Sequence, residues 1–418
     1  MRLFVLSLLA FPLFAQDVVM SHLDFRAEAT VAYQRKNYAA ARAATLAALE
    51  LRPDSPRYLH NLAALSALTG DPAQAIDYLR RIAALGVATN AERDPDLAIL
   101  QGTPQFARVL HEFAANRGAQ GEVEVVAELH GRTGILEGIA YRERTGDLFL
   151  GDVHHRCIWR RDRDGRIARF TAEDDELFGI FGLVVDEPRN ALWAAMSAVP
   201  EMSGYTDEMK GRAALAEFDL TTSELRRVIA VPVDGREHGL GDLIIAPDGT
   251  IYLTDYKAPV IWQLAFGAEE LQKVADSPLF SSLQGLVIEQ KTLLVADYDN
   301  GFFTVEVGTG NITALAPPRN ATLVGIDGIA TVAGGVVAIQ TGVDPQRVIR
   351  VSFTPALDAA LGVTVLAAGL ANLTDLGLVT LVNGRPTFIA GAGWDGLDGV
   401  RIRQPPAHTV RIFQVTLP

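Results

Sequence analysis

The sequence is poor in cysteine and in positive charge. Its 418 residues include one cysteine, Cys157, which excludes an intramolecular disulfide and a cysteine-rich zinc site. Lysine and arginine total 37 against 50 aspartate and glutamate, a formal net charge of −13. Nucleic acids and anionic membranes are bound through cationic surfaces, so neither is an expected partner. Hydrophobic residues make up 49% and charged residues 21%, which indicates a folded globular protein.

Long hydrophobic runs are also missing, apart from one at the N-terminus. Arg2 precedes an apolar run at residues 3–14, and the sequence turns polar after Ala15. A run of about 12 residues is short for a membrane span and typical of a signal peptide. We therefore predict a signal peptide at 1–15 and an exported protein, periplasmic or extracellular, without stable membrane insertion. The alternative is a retained N-terminal anchor.

Residues 22–117 are rich in alanine and leucine, and their apolar residues recur at helical spacing. Two copies of a pattern lie 34 residues apart, with small residues and a polar turn at matching positions. The matching pairs are Ala29 and Ala63, Tyr33 and Ala67, Asn37 and Asp71, and Ala41 and Ala75. This period resembles the tetratricopeptide repeat, and 94–113 is expected to add a further helix pair. The region is expected either to bind a partner protein or to be a structural appendage.

After 118–121, a predicted linker, residues 122–418 form short apolar runs separated by turn signals. Six segments share an x-Gly-apolar-apolar form or a variant of it, at spacings of 44, 60, 43, 43 and 49. The unit length of about 49 residues is that of a four-stranded propeller blade. The sequence therefore predicts an all-β six-bladed β-propeller with an N-terminal α-helical domain. The segments are Glu137-Gly138-Ile139-Ala140, Phe181-Gly182-Leu183-Val184, Gly241-Asp242-Leu243-Ile244, Gln284-Gly285-Leu286-Val287, Asp327-Gly328-Ile329-Ala330 and Leu376-Gly377-Leu378-Val379.

The last unit lacks a fourth strand, and the strand at 123–129 has no place in blade one. We therefore predict that 123–129 lies beside 409–417 in a shared blade. Such a pairing closes the ring and leaves no exposed sheet edge.

In a propeller blade, the start of the inner strand and the loop between the second and third strands lie on one face. Glu137, Gly241, Gln284, Asp327 and Leu376 are thus expected to surround the tunnel mouth, with His154 and His155 in a nearby loop. Glutamate, aspartate and glutamine oxygens suit Ca²⁺ or Mg²⁺. A cation would also relieve the repulsion between the two carboxylates. The alternative is a water-filled polar tunnel without a ligand. Two long loops, 197–212 and 391–408, are expected to cover the mouth.

The ordered set of segments resembles the senescence marker protein / gluconolactonase / luciferin-regenerating enzyme family of six-bladed propellers. The resemblance covers nearly all of 122–418. It rests on "LEGIAY", "TGDLFLGDVHHRCIWRRDRDG", "HGLGDLIIAPDGTIYLTDY", "LQGLVIEQKTLLVADYDNG" and "GIDGIATVAGGVVAIQ".

The resemblance implies a divalent metal in the tunnel, commonly Ca²⁺, with Mg²⁺, Mn²⁺ and Zn²⁺ as alternatives. By position its ligands are Glu137, Gln284 and Asp327. Gln284 stands where the family has asparagine, and Gly241 stands where the family has a substrate-contacting asparagine. These departures fit a branch of the family with a different substrate. The histidines resemble, more loosely, a pair used by the related paraoxonase propellers.

The expected function is metal-dependent hydrolysis of a small-molecule lactone or ester, with the metal polarising the carbonyl. Asp327 or Asp242 is expected to accept the proton, and His154 and His238 are reserve candidates. No Gly-x-Ser-x-Gly motif stands out, which disfavours a covalent serine hydrolase. The alternative is a non-catalytic propeller that binds a ligand or a protein and holds a structural metal or none.

Overall fold

A helical region precedes a ring of six antiparallel sheets in the computed structural model, which describes residues 20–173, 176–397 and 407–417. The ring confirms the predicted six-bladed β-propeller. The signal peptide predicted at 1–15 lies outside the described residues. Among the residues that are described, no helix combines the length and the apolar character needed to cross a membrane.

The helical region consists of two helix hairpins, two short 3₁₀ helices and a final helix. The hairpins pair α1 with α2 and α3 with α4, and α5 packs on α4. The helix pair predicted at 94–113 is wrong in its first member. That member is a six-residue 3₁₀ helix, and the Asp94 side chain caps it by accepting a hydrogen bond from the Asp96 amide. The α-helices are α1 (His22–Gln34), α2 (Tyr38–Leu51), α3 (Pro56–Leu68), α4 (Pro72–Ala84) and α5 (Pro104–Asn116), and the 3₁₀ helices are Ala91–Arg93 and Pro95–Leu100.

Residues 34 apart occupy equivalent places in the two hairpins. Asn37 caps α2 by accepting a hydrogen bond from the Ala40 amide, and Asp71 caps α4 by accepting one from the Gln74 amide. Asparagine and aspartate are favoured at this position because their side-chain oxygens satisfy free amides of the first helical turn. The matching alanines are buried, which lets the helices approach closely.

Each blade has four strands, and blade five has a short fifth one. In each blade the strands follow one another along the chain from the tunnel outward, except that the outermost strands of blades five and six, β1 and β2, precede blade one. The strands before blade one are β1 (Gln120–Gly121) and β2 (Val123–Arg132). Blades one and two are β3 (Leu136–Arg142), β4 (Asp147–Asp152), β5 (Cys157–Arg161), β6 (Ile167–Arg169), and β7 (Gly179–Asp186), β8 (Ala191–Ser197), β9 (Ala213–Asp219), β10 (Leu225–Ala230). Blades three and four are β11 (Leu240–Ile245), β12 (Ile251–Asp255), β13 (Val260–Leu264), β14 (Gln272–Asp276), and β15 (Leu283–Glu289), β16 (Thr292–Asp297), β17 (Gly301–Glu306), β18 (Ile312–Ala314). Blades five and six are β19 (Ile326–Val332), β20 (Gly335–Gln340), β21 (Arg347–Phe353), β22 (Ala360–Ala368), and β23 (Leu376–Val382), β24 (Arg385–Ala390), β25 (His408–Val415), with β2 outermost.

Blade six joins both ends of the propeller sequence. β2 pairs antiparallel with β25, with Val123 opposite Val415 and Leu129 opposite Val410. This confirms the predicted closure. The prediction that 118–121 is only a linker is wrong in part. Gln120 of this segment pairs with Ala368, so that β1 adds a short fifth strand to blade five. The segment that connects the helical region to the ring is thus itself held to blade five by sheet pairing.

The closing pair of strands offers a test of how much ring closure stabilises the protein. Ile412 of β25 is 0% exposed, whereas Val125 of β2 is 50% exposed. We expect Ile412→Ala to lower the free energy of unfolding by about 2–5 kcal/mol, because it leaves a cavity in the shared core. Val125→Ala, in the partner strand, should change it by less than about 0.5 kcal/mol. Urea denaturation measures the free energy of unfolding of both variants. Equal effects would contradict a stabilising role for the packing between β2 and β25.

Every inner strand has an irregularity in register near its start, and this explains the repeated x-Gly pattern. The shift falls between Leu136 and Ile139 in blade one and between Leu283 and Leu286 in blade four. A Cβ on Gly138 would overlap the Phe181 carbonyl oxygen of the next inner strand. Glycine is therefore required where neighbouring inner strands approach most closely. The residue before that glycine is the one that reaches the tunnel mouth.

The helical region docks on loops of blades four and five, on the face where the inner strands begin. His22 Nε2 lies 2.7 Å from Asn300 Oδ1, in the loop between β16 and β17. The Leu323 amide donates to Asp54 Oδ2 over 2.9 Å. Arg117 forms an ion pair with Asp344 at 2.7 Å, in the loop between β20 and β21. The helical region therefore borders the tunnel mouth.

Candidate functional site

A cavity of about 280 Å³ opens at the tunnel mouth, among the starts of the inner strands. It brings together four residues that the sequence singled out, from four different blades: Glu137, Asp242, Gln284 and Asp327. Residues up to 190 positions apart converge because each lies at or next to the same point of a repeated blade. The remaining lining residues are Phe181, Gly241, Tyr256, Thr341, Gln346, Asp375, Leu376, Leu378, Trp394 and Asp395.

The cavity is acidic without any balancing positive side chain. Five carboxylates line it, and none of its described lining residues is lysine, arginine or histidine. Burial raises the pKa of Glu137 well above its ordinary value, and the negative charge of Asp327 raises it further. Burial also raises the pKa of Asp327 to about 6 and that of Asp242 to about 7. Charged carboxylates are therefore costly here unless a cation accompanies them.

Three of these side chains are held in place by hydrogen bonds to neighbouring residues. Trp394 Nε1 donates to Glu137 Oε2 over 2.6 Å, which opposes the rise in the pKa of Glu137. Thr341 Oγ1 donates to Asp327 Oδ2 over 3.3 Å. Gln284 Nε2 donates to the Ser282 hydroxyl over 3.1 Å, so the Gln284 carboxamide keeps its oxygen available as an acceptor.

Asp242 differs from the other acids because it occupies the glycine position of its blade. In the repeated pattern, Gly241 takes the mouth position and Asp242 follows it. The Asp242 carboxylate accepts a hydrogen bond from the Leu243 amide at 2.9 Å, which opposes the effect of burial on its pKa. With a pKa of about 7, this carboxylate can accept or release a proton near neutral pH.

One wall of the cavity is aromatic. The rings of Phe181 and Tyr256 have centroids 5.7 Å apart, and those of Phe181 and Trp394 lie 6.3 Å apart. Tyr256 and Trp394 come from loops after the second strands of blades three and six, while Phe181 takes the mouth position of blade two. The wall faces an acidic floor, so the cavity can take a molecule with a polar group and a ring or acyl face.

Sequence reasoning missed Asp375 and Thr341, and it misplaced one residue of blade six. Asp375 lies directly before the inner strand β23, and its carboxylate accepts a hydrogen bond from the Gly393 amide over 2.6 Å. Burial raises the pKa of Asp375. Its position next to a mouth residue is the signal that could have found it. By register, the residue of blade six that matches Glu137 is Gly377 and not Leu376, although Leu376 also lines the cavity.

Neither His154 nor His238, the reserve proton acceptors, is among the residues that line the cavity. His154 Nδ1 lies 2.7 Å from the Glu201 carbonyl oxygen, in the long loop after β8. His238 lies between two carboxylates, with Nδ1 2.6 Å from Asp255 and Nε2 2.9 Å from Asp234. The reserve role predicted for the two histidines does not follow from these positions, because neither lines the cavity and their contacts are with the neighbouring loops.

An aspartate at the end of the second strand organises the loop in three blades. Asp152 accepts from the His155 amide and the Trp159 indole, and Asp255 accepts from the Gly239 amide and the Trp262 indole. Asp297 accepts from several donors in the equivalent loop of blade four. These aspartates fix the loops that carry Tyr256 and Tyr298 beside the mouth.

The long loops contribute to the mouth to different extents. Met202, in the loop of 197–212, is buried in a cluster with Ile135 and Val153. That cluster also contacts Trp394, which belongs to the second loop, 391–408. The second loop is described only through residue 397 and from residue 407, and its described part supplies Trp394 and Asp395 to the cavity. Residues of both loops therefore belong to one apolar cluster at the edge of the mouth.

The donors present fit a hard divalent cation better than a soft one. Glu137, Asp327 and Gln284 offer carboxylate and carboxamide oxygens, which Ca²⁺ and Mg²⁺ prefer, and these ions commonly complete their coordination with water. In the described part of the chain, no three His, Cys, Asp or Glu side chains form a metal-binding group by themselves. The Glu137 and Asp327 carboxylates nevertheless act electrostatically on each other in a cavity that holds no positive side chain. A cation would relieve that repulsion.

Comparisons with known proteins give similarity of fold only. No protein-family model matches the sequence, and no curated protein matches it either. Solved structures similar to this chain include a gluconolactonase from Xanthomonas campestris, with 16% identity over 72% of this chain and 93% of that one, at a TM-score of 0.49. A PQQ-bound aldose sugar dehydrogenase from Streptomyces coelicolor has 15% identity over 71% and 99%, at 0.48. Virginiamycin B lyase from Staphylococcus aureus has 13% identity over 71% and 100%, at 0.47. Scores below 0.5 at such identities carry no conclusion about activity.

Proposed function

We propose that the protein is a metal-dependent hydrolase of a small-molecule lactone or ester. One observation supports this most directly: Glu137, Gln284 and Asp327, from three blades, meet with Asp242 in one acidic cavity without a positive side chain. Two carboxylates and a carboxamide are the donors that a hard divalent cation takes. The cation is proposed to be Ca²⁺, with Mg²⁺, Mn²⁺ and Zn²⁺ as alternatives.

Membership of the senescence marker protein / gluconolactonase / luciferin-regenerating enzyme family is part of this proposal. So are the tetratricopeptide character of the helical region, the signal peptide at 1–15 and export to the periplasm or the extracellular space. The family resemblance supports the ligand roles of Glu137, Gln284 and Asp327. The substitution of Gly241 for the family's asparagine supports a different substrate.

The residues divide the chemistry between them. When bound, a divalent cation supplies Lewis acidity to the carbonyl and lowers the pKa of water. Asp242 accepts the proton of the attacking water, since its pKa of about 7 makes it a base near neutral pH. Trp394 and Thr341 orient the carboxylates of Glu137 and Asp327 through the hydrogen bonds described above. Phe181 and Tyr256 pack on the ring or acyl part of the substrate.

A chelation experiment tests this function. The purified mature protein is analysed for bound metal and assayed on a panel of lactones and aryl esters, before and after removal of metal. We expect stoichiometric divalent metal and hydrolysis that is lost on chelation and restored by Ca²⁺ or another divalent ion. Hydrolysis that is insensitive to chelation would rule out the metal-dependent mechanism. Stoichiometric metal without turnover of any member of the panel would favour the binding-protein alternative.

One observation favours binding of a partner by the helical region as a second function. A cavity of about 270 Å³ lies between α1 and α3, and its lining includes the aromatic side chains Tyr33 and Tyr58. Tyr33 is 42% exposed, and its hydroxyl lies 2.5 Å from Asp96 Oδ2. An exposed aromatic residue beside acidic groups suits contact with a protein segment. A protein partner for this cavity remains our proposal.

A further inference from the structure

A wide groove runs from the tunnel mouth to the helical region. It encloses about 770 Å³ between α3, the 3₁₀ helices and the loop of 341–344. Thr341 lines both this groove and the acidic cavity, so the two spaces meet at that residue. A single molecule can therefore place one end in the cavity and the other end in the groove.

The groove differs from the cavity because its lining includes arginine side chains. Arg57, in the first turn of α3, and Arg93, in the first 3₁₀ helix, both line the groove. Both are exposed, and neither side chain forms an ion pair or a hydrogen bond with another residue in the described ranges.

The two acidic side chains of the same groove, Asp94 and Asp344, contact other residues and not these arginines. Asp94 Oδ2 lies 2.7 Å from His60 Nε2. Asp344 Oδ2 lies 2.7 Å from a guanidinium nitrogen of Arg117. The positive charge of Arg57 and Arg93 therefore remains available to a ligand.

The charge of Arg57 acts on Tyr298, which is joined through Thr341 to the floor of the cavity. The Tyr298 hydroxyl lies 3.2 Å from Thr341 Oγ1, and Thr341 Oγ1 donates to Asp327 Oδ2. Burial raises the pKa of Tyr298, while the charges of Arg57 and Asp327 act on it in opposite directions. Tyr298 thus lies between the cationic groove and the acidic cavity.

We propose that Arg57 and Arg93 bind a carboxylate at the far end of the substrate, whose ester or lactone group occupies the acidic cavity. This inference rests on the proposed function and extends it to the substrate class, an anionic lactone or ester. Guanidinium groups bind carboxylates through paired, charge-assisted hydrogen bonds. The acidic cavity repels the carboxylate, so the substrate enters in one orientation. The role of the helical region is then to select anionic substrates, because it supplies Arg57 and Arg93.

Two esters that differ in one charge test the selection. The full-length mature protein is assayed on p-nitrophenyl butyrate and on mono-p-nitrophenyl glutarate, which carries a distal carboxylate. We expect the wild type to have the higher kcat/KM for the anionic ester. In the double variant Arg57→Gln with Arg93→Gln, the ratio of the two kcat/KM values should fall about tenfold, mainly because KM for the anionic ester rises. Arg108→Gln is the control, because Arg108 is exposed on α5 and does not line the groove. An unchanged preference in the double variant would overturn the proposal.

A binding measurement separates this inference from the proposed function. Glutarate is titrated into the same variants by calorimetry, at low and high salt. We expect wild type and Arg108→Gln to bind glutarate, with weaker binding at high salt, and the double variant to bind it about tenfold more weakly. If neither ester is hydrolysed but this pattern holds, the hydrolase function fails and the anion site stands. If glutarate binds all three proteins equally, the anion site fails whatever the outcome for hydrolysis.

Discussion

Glu137→Gln is expected to lower kcat/KM for lactone or ester hydrolysis by about 10²- to 10³-fold, the range found when one preorganised electrostatic group is removed. Glutamine keeps the size of the side chain and can still contact the Trp394 indole, whose nitrogen lies 2.6 Å from Glu137 Oε2 in the wild type. It removes the charge that the proposed cation needs. The loss should therefore come with weaker binding of Ca²⁺, measured by calorimetry on metal-free protein.

The matched control is Glu289→Gln. Glu289 is exposed at the far end of the inner strand β15 and does not line the cavity. It should keep both hydrolysis and cation affinity. If Glu137→Gln bound Ca²⁺ as tightly as the wild type and hydrolysed substrate at the same rate, neither the ligand role of Glu137 nor the mechanism built on it would survive.

Asp327→Asn is expected to stabilise the cation-free protein at neutral pH and to abolish its stabilisation by Ca²⁺. Burial raises the pKa of Asp327 from 3.8 to about 6. A carboxyl group with a raised pKa in the folded state contributes stability below pH 3.8, and this contribution is lost as the pH rises through 6. The shift corresponds to about 3 kcal/mol of unfolding free energy. The asparagine variant has no such loss, and it also relieves the repulsion that raises the pKa of Glu137.

Chemical denaturation between pH 4 and pH 8, with a chelator and then with Ca²⁺, measures this effect. With a chelator, the stability of the wild type should fall relative to Asp327→Asn as the pH rises. With Ca²⁺, the wild type should regain stability above pH 6, whereas the variant should not respond. Asp77→Asn, at a side chain 64% exposed in α4, should follow the wild type within about 0.5 kcal/mol. Parallel pH profiles for wild type and Asp327→Asn would mean that the Asp327 carboxylate is not destabilised in the cavity.

The repeated pattern made the ring predictable. Glycine after the mouth residue is a packing requirement, because a Cβ on Gly285 would lie 2.6 Å from the Ile329 amide nitrogen of the next inner strand. Because several blades need glycine at this position, glycine recurs at regular intervals in the sequence. The convergence of Glu137, Gln284 and Asp327 followed from that period alone. The closure of blade six was predictable as well, because one strand was missing at one end of the repeat and one was in excess at the other.

Other features depend on individual contacts, which produce no repeated pattern in the sequence. His238 could not be assigned from sequence, since its engagement with Asp234 and Asp255 is set by the packing of the loop. Docking of α1 through His22 on Asn300 joins residues 278 apart in a single contact. The register of blade six, where Gly377 matches Glu137, was obscured by Leu378 at the usual glycine position.

The order of the strands along the chain has a consequence for biosynthesis. β2 emerges from the ribosome before any blade is made, and its partner β25 is translated after all the other strands of the ring. A nascent chain therefore carries β2 with an unpaired edge, exposed to aggregation or to chaperone capture, until β25 has been made. Trp394 and Asp375, which belong to blade six, reach the cavity only at that final step. A product truncated before blade six would thus have an incomplete cavity.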